Sequence, residues 1–367
     1  MMGNASTRAL VSKWSTPVIL MGICVLIAAF AVVRDDAVFL RVVTVMFISV
    51  LLAVALQTFM GNSGLGSFGQ YAFVAIGAYA SLWFGLSEQQ KRVTLPDMPV
   101  NWWIYKQHYP FELAIVSAAI LTAIIGAAIG AAFVRLRGAS FTIATFAFLI
   151  VINRVALQWE EVTRGSRVVI GVPKQTTIWI TVTWACVAIL IAFVFKESSI
   201  GLKLRASRED EDAAASIGIN VKLMRWIAWT LSCGMSAIGG ALWAYLIVQF
   251  TPNNFYLHET FLIVAMLVIG GAASVSGAVV GAIAVALSSE MLRQTENWLN
   301  TQRNDGTTFG NLLPFQLIGF TEIVLATVMI LVLIVRPSGL LSGRELRWPR
   351  GNSQPGVTDL AENIDEA

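Results

Sequence analysis

Eight apolar runs, at about 17–33, 38–59, 66–85, 112–134, 139–158, 177–195, 226–248 and 312–335, punctuate the sequence. Each is close to the ~20 residues that a helix needs to cross a hydrocarbon layer. Runs of that length leave few folds open. In lipid every backbone donor and acceptor must be satisfied within the chain, which admits helices and closed barrels, and only helices take continuous apolar runs. Charged residues make up only 13% of the chain, against about 25% in an ordinary soluble domain. The expectation is an all-α integral membrane protein, a polytopic helical bundle of about 8–10 transmembrane segments. The near balance of 25 basic and 22 acidic residues gives no basic surface of the kind nucleic acid requires.

A further apolar stretch lies between 260 and 290. Its middle, Gly270-Gly271-Ala272-Ala273-Ser274-Val275-Ser276-Gly277, is too rich in Gly and Ser for an uninterrupted helix, so two shorter segments around a break, or a re-entrant segment, are expected. Two explanations stay open. Irregular backbone at membrane depth can line a watery cavity, and small residues can also let helices pack closely.

The first apolar run follows Arg8 and Lys13, like a secretory leader, but it is long for one, and Arg34-Asp35-Asp36 is no small-residue cleavage site. It is read as a first span. The bias of Lys and Arg towards the cytoplasm favours both termini inside with ten crossings. The expected organisation is a cytoplasmic amino terminus (1–16), a permease-like membrane domain (17–347) with a cytoplasmic loop at 196–225, and a disordered polar tail (348–367). Trp102, Trp103, Tyr105 and Tyr109 in the loop from Ser87 to Pro110 read as an aromatic belt at the outer interface. Cys24, Cys186 and Cys233 sit in apolar runs at unrelated spacings and, with only His108 and His258 as histidines, indicate neither a disulfide framework nor a metal site.

Lys196 to Arg225 is a charged insert between two spans. Ser207 and Asp210 form an S-x-x-[DE] pair, and Glu209, Asp210, Glu211 and Asp212 crowd a first helical turn, where the dipole favours anions. Ala213, Ala214 and Ala215 propagate the helix, and Gly218 offers a left-handed stop, giving about ten residues at the membrane surface. Such a helix suits the grip of a soluble partner. A loop held by its basic residues against anionic headgroups is the other reading.

Elsewhere, Gly61-Asn62-Ser63-Gly64-Leu65-Gly66-Ser67-Phe68-Gly69-Gln70 enters a span. Ser67 and Gln70, three apart, put two hydrogen-bonding groups on one helical face, meeting either solute or a neighbouring helix. Thr142 and Thr145 repeat that spacing after Arg137-Gly138-Ala139-Ser140-Phe141.

The run Gly201-Leu202-Lys203-Leu204-Arg205-Ala206-Ser207-Arg208-Glu209-Asp210-Glu211, continued by Ala213, Ala214, Gly218, Ile219 and Asn220, resembles the coupling loop of the permease family of branched-chain amino acid ABC importers. The stretch 61–79, the Arg137-Gly138 start, Thr163-Arg164-Gly165-Ser166 with Gly171-Val172-Pro173, and Gly270 to Gly281 are similar to further family motifs, in the family's order. Ala272 and Ala278 depart from its Gly and Pro.

The resemblance implies an ATPase-coupling loop in which Arg205, Ser207, Arg208, Glu209, Asp210, Glu211, Ala214 and Gly218 carry the contact. It also implies a translocation path past Gly64, Ser67, Gln70, Ser140, Thr142, Thr145, Thr163 and Gly165. The implied solutes are leucine, isoleucine and valine, with urea or short amides as the alternative, and the implied location is a bacterial cytoplasmic (inner) membrane. No G-x-x-x-x-G-K-[ST] run occurs, so ATP and Mg would be used by partner subunits and no cofactor by this chain. The implied partners are two cytoplasmic ABC ATPases, a second related permease chain in a heterodimer, and an external solute-binding protein. An ion-coupled secondary transporter would instead use ionisable groups in spans, for which Arg41, Arg154, Glu290 and Glu322 are the candidates. An intramembrane enzyme would need converging acids, nucleophiles or metal ligands that the spans do not offer.

Overall fold

The computed structural model describes residues 3–304, 319–336, 339–341 and 345–346. The expected disordered tail and the start of the expected 312–335 span lie outside them. Among the described residues fourteen α-helices follow in order: α1 (Gly3–Val33), α2 (Ala37–Ser63), α3 (Gln70–Gly85), α4 (Glu88–Thr94), α5 (Phe111–Phe133), α6 (Gly138–Gln158), α7 (Glu160–Thr163), α8 (Ile178–Glu197), α9 (Ser199–Glu209), α10 (Glu211–Ser216), α11 (Val221–Ile247), α12 (Leu257–Gly270), α13 (Val275–Asn304) and α14 (Phe320–Val335). Eight segments, those of α1, α2, α5, α6, α8, α11, α12 and α13, are long and apolar enough to cross a membrane, and α3 and α14 are shorter apolar helices of 16 residues each. The chain is an all-α, multi-pass membrane protein.

Three boundaries differ from the sequence expectation. Helix α1 already begins at Gly3, ahead of the apolar segment Trp14–Val33 that is long enough to cross a membrane. The run expected as a span from 66 is helical only from Gln70, because Gly64 takes a left-handed φ of 72° that stops α2, and residues 64–69 run without helix. The stretch from 260 does break, at 271–274, where Gly271 has a φ of 108°. The second segment is not short: α13 runs 30 residues, past its apolar half into Glu290, Arg293 and Glu296.

Helix α11 is the centre of the bundle, packed on α2, α3 and α5. Its glycines permit this. A Cβ at Gly240 would fall on the carbonyl of Val74 in α3, and one at Gly77 would fall on the backbone of Ala237 in α11, so the two helices meet backbone to backbone. Without a hydrophobic force between helices in lipid, such close packing is what holds them together. Gly240→Ala is therefore expected to wedge α3 from α11 at a cost of about 1–3 kcal/mol. Thermal unfolding in detergent should show this as a lowered midpoint. Gly22→Ala, where a Cβ would meet nothing within 4 Å, should leave the midpoint unchanged.

Towards one end of the bundle the packing is aromatic. Trp229 of α11 is fully buried, donates its indole N–H to Gly126 O at 3.1 Å, and meets Phe59, Phe73, Phe133 and Phe141 with ring centroids 5.1–5.9 Å apart. These rings join α2, α3, α5 and α6 to α11 beside the ends that carry the charged loop. At the other end lies the loop expected as an aromatic belt. There Lys91 is buried and donates to the carbonyls of Ile104, Tyr105 and Gln107 at 2.9, 3.2 and 2.5 Å. Of its aromatics Tyr105 is buried and Trp103 exposed.

Candidate functional site

The charged insert folds as two short helices rather than one. Asp210, at φ −150° and ψ 112°, is extended and interrupts the run, ending α9 and starting α10. Its carboxylate accepts from the backbone of Asp212 and Ala213 at 3.0 and 2.9 Å, so Asp210 caps the second helix. This corrects the cap expected at Ser207, which is buried inside α9 with its hydroxyl donating to Leu204 O at 2.7 Å. Helix α10 accordingly has six residues, not about ten. The stop is where the sequence places it, at Gly218 with φ 86°.

Three charged side chains tie the loop to the bundle. Glu211 holds α10 to two membrane helices: it accepts from Arg225 at the start of α11 at 3.2 and 2.8 Å, and its carboxylate lies 3.2 Å from the Arg137 guanidinium before α6. Arg205 donates to Lys196 O at 3.1 Å, folding α9 back on the end of α8. Arg208 reaches furthest. One guanidinium N–H donates to Gly61 O at 2.9 Å while others go to Glu209, and its stem lies where a Cβ of Gly64 would be. A cation on the last carbonyls of α2 also suits the negative end of that helix. Ala214 is buried, and Asp212 and Ile217 point outward, Ile217 being 77% exposed.

Arg208 thus meets the second motif. Beyond Gly64 the unwound segment is held by α6: Thr142 donates its hydroxyl to Gly66 O at 3.0 Å, and Phe68 N donates to Thr145 Oγ1 at 3.3 Å. Irregular backbone in a membrane bundle persists only with such partners. The sequence expectation that Ser67 and Gln70 share a helical face is corrected, since Ser67 lies before α3 begins. Gln70 ties helices together: its amide N–H groups donate to Ser232 O, Ser232 Oγ and Ser236 Oγ of α11 at 3.1, 2.7 and 2.6 Å. Several buried polar atoms of the same stretch have no protein partner, namely both polar atoms of Gln57, Asn62 Oδ1, Ser67 Oγ and Gln70 Oε1. A buried unpaired polar atom costs about 1–3 kcal/mol. A cluster of them marks a place where water or solute completes the hydrogen bonding.

Gly64, Ser67, Gln70, Thr142 and Thr145 are therefore one neighbourhood, and Arg208 couples it to the loop. Ser140 is exposed at the start of α6. Thr163 and Gly165 stand apart, beyond the opposite end of α6, where the Thr163 hydroxyl donates to Ala156 O and accepts from Gly165 N as a structural turn.

The break at 271–274 belongs to the loop's end of the molecule. A Cβ at Gly61 would fall on Ala272 O. Residues 339–341 lie across the break: Leu340 N and Leu341 N donate to Ile269 O and Gly270 O at 2.8 and 3.3 Å. Glu345 accepts from Val275 N and Ser276 N at 2.9 and 3.0 Å, capping α13, and forms an ion pair with Lys196, both side chains 5% exposed. Burial pushes the Glu345 carboxyl up, but the Lys196 ammonium and the hydrogen bonds from Lys196 and Ser276 outweigh it and hold the group below the usual carboxylate range. No spacing or motif in the sequence signals this contact. Among the described residues no group of three or more His, Cys, Asp or Glu could hold a metal ion, and all three cysteines are free thiols.

Residues 38–333 match the family described as branched-chain amino acid transport system, permease component. The high-affinity branched-chain amino acid transport system permease protein LivM of Escherichia coli K12 is 23% identical over 82% of this chain and 69% of its own length. Its counterpart LivH of the same strain is 26% identical over 47% of this chain and 48% of its own. A nucleoside ABC transporter permease protein, NupC of Lactococcus lactis subsp. cremoris, is 33% identical over 23% of this chain and 26% of its own.

Proposed function

The chain belongs to the branched-chain amino acid transport permease family, and on that premise we propose that it is the membrane subunit of an ATP-driven importer for branched-chain amino acids. Separate cytoplasmic ATPases seat on α10 and use ATP and Mg. A second, related permease completes the path and an external binding protein delivers the solute. Both termini lie on the cytoplasmic side of a bacterial inner membrane.

The observation that carries the reading is the reach of Arg208 from the loop to Gly61 O, at the point where α2 stops and the unwound segment begins. A displacement of α9 and α10 pulls on the end of α2, and through residues 64–69 on Thr142 and Thr145 of α6. The unpaired polar atoms of Gln57, Ser67 and Gln70 lie along that same stretch and give a polar solute hydrogen-bonding groups to pass.

Affinity purification of the chain from mild detergent tests the partner assignment. Two P-loop ATPases and a second permease are expected to co-purify. A chain that purifies alone and still transports would overturn the assignment and favour an ion-coupled carrier.

A further inference from the structure

Helix α11 runs away from the charged loop, and the backbone at its far end is strained. Among the described residues other than glycine, Asp35, Arg164 and Val248 have positive φ, and of these Val248 alone is β-branched. Its φ of 70° and ψ of −32° place it where a β-branched side chain is a genuine outlier. Residues held in such conformations persist only where the surrounding structure overdetermines them, and they gather at switches.

The residues that follow fold over the end of the bundle as a plug. Phe250 and Phe255 are buried and meet each other, Tyr79 of α3 and Trp243 of α11 with ring centroids 5.1–6.4 Å apart. Pro252–Phe255 is a single helical turn, closed by a capping box of Thr251 and Asn254, and it rests on α3 and α6. Three hydrogen bonds fasten it. Phe250 and Val169 exchange both backbone N–H bonds, at 2.8 and 3.3 Å, in an isolated antiparallel bridge, and Asn153 Nδ2 of α6 donates to Pro252 O at 3.1 Å. Two features work against the closed arrangement: the strain at Val248, and the hydroxyl of Tyr79, which is buried under the plug without a partner. Ala72, Ala75 and Tyr79, three and four apart, share one face of α3. The plug therefore closes one end of a face whose other end is the unwound segment 64–69.

We infer that residues 248–255 are the outer gate of the path, hinged at Val248 and held shut by the Val169–Phe250 bridge and by Asn153. The inference deepens the importer reading and rests on it for which end of the bundle faces outward. Swinging the plug out relaxes the backbone at Val248 and admits water to the Tyr79 hydroxyl, so both costs of the closed form disappear on opening. The fastening and the strain oppose each other, which keeps the open form within reach of a modest external pull. The capping box keeps the turn intact, so the plug moves as one body.

The test uses the full chain in right-side-out membrane vesicles, with Cys24, Cys186 and Cys233 replaced by alanine and Tyr79→Cys introduced beneath the plug. The readout is the rate of modification by a membrane-impermeant methanethiosulfonate added outside. Val248→Gly, which takes this φ without strain, is expected to slow labelling about tenfold by favouring the closed form. Asn153→Ala, which frees Pro252 O, should quicken it severalfold. In the same thiol-free background, Val169→Cys with Phe250→Cys gives a directly opposed pair with Cα atoms about 5.5 Å apart, within reach of a disulfide. Its oxidation should stop uptake of labelled leucine and its reduction restore it. Equal labelling of Tyr79→Cys in all three chains, faster labelling with Val248→Gly, or undiminished uptake by the oxidised pair would overturn the inference. Labelling needs neither ATP nor an ATPase, so its failure is distinct from failure of the importer reading, which the co-purification reports.

Discussion

Ile217→Asp is expected to abolish ATP-driven uptake while leaving the chain folded and inserted. Ile217 is the most exposed large apolar side chain of the charged loop, beside the left-handed turn at Gly218, and it packs on nothing that the bundle needs. An apolar anchor lost from the centre of a protein interface costs about 2 kcal/mol or more, which is roughly a thirty-fold loss of ATPase affinity. The measurement is ATPase recovery and labelled-leucine uptake for Ile217→Asp beside Val100→Asp, another exposed apolar position, far from the loop. Loss in the first with retention in the second is expected. Undiminished uptake by Ile217→Asp would remove α10 from the ATPase contact. Reversing Glu211 is a poorer probe, because that carboxylate anchors the loop to Arg225 and Arg137 and its loss would disturb the fold as well as the docking.

The largest stability effect is expected at Lys196→Ala. Removing one member of a buried ion pair leaves the other charge uncompensated and costs about 3–5 kcal/mol. Here it strands Glu345 and frees Ala273 O in the α12–α13 break. The thermal midpoint should fall by several degrees, and protease should gain access at 339–341, which lie on the break. Glu345→Gln keeps a polar cap on α13 but loses the charge, and should cost less. The pH dependence follows in sign. Since the folded carboxyl sits below its usual value, its stabilisation is complete above the unfolded value of about 4.3 and is lost as pH falls through the folded one. The gap in midpoint between the native chain and Glu345→Gln should therefore close on acidification.

The membrane helices were legible because lipid imposes a length on each of them, and the Gly271 break because glycine there ends a helix that apolar neighbours would continue. Helix α9 carries its own signal in the sequence: Gly201, Leu204 and Ser207, three apart, are its buried face. The start of α3 is not legible from composition, because Gly and Ser occur in packed membrane helices as well as in unwound segments. What decides between them is the pair of threonines 76 and 77 residues further on that takes the backbone of Gly66 and Phe68. The Lys196–Glu345 pair was illegible for the same reason, its members being 149 residues apart. Of the candidate path residues, those near Arg208 came together, while Thr163 and Gly165 matched a motif that serves a turn at the other end of α6.

The central claim is that this chain carries solute when ATP is hydrolysed by subunits seated on its loop. The direct measurement is uptake of labelled leucine into proteoliposomes that contain the chain with its co-purified ATPases and partner permease, with the binding protein supplied on the opposite face from the ATPases. Uptake that requires ATP, is indifferent to proton and sodium gradients, and disappears with Ile217→Asp is the predicted result. Uptake that proceeds without ATP and follows an ion gradient would contradict it.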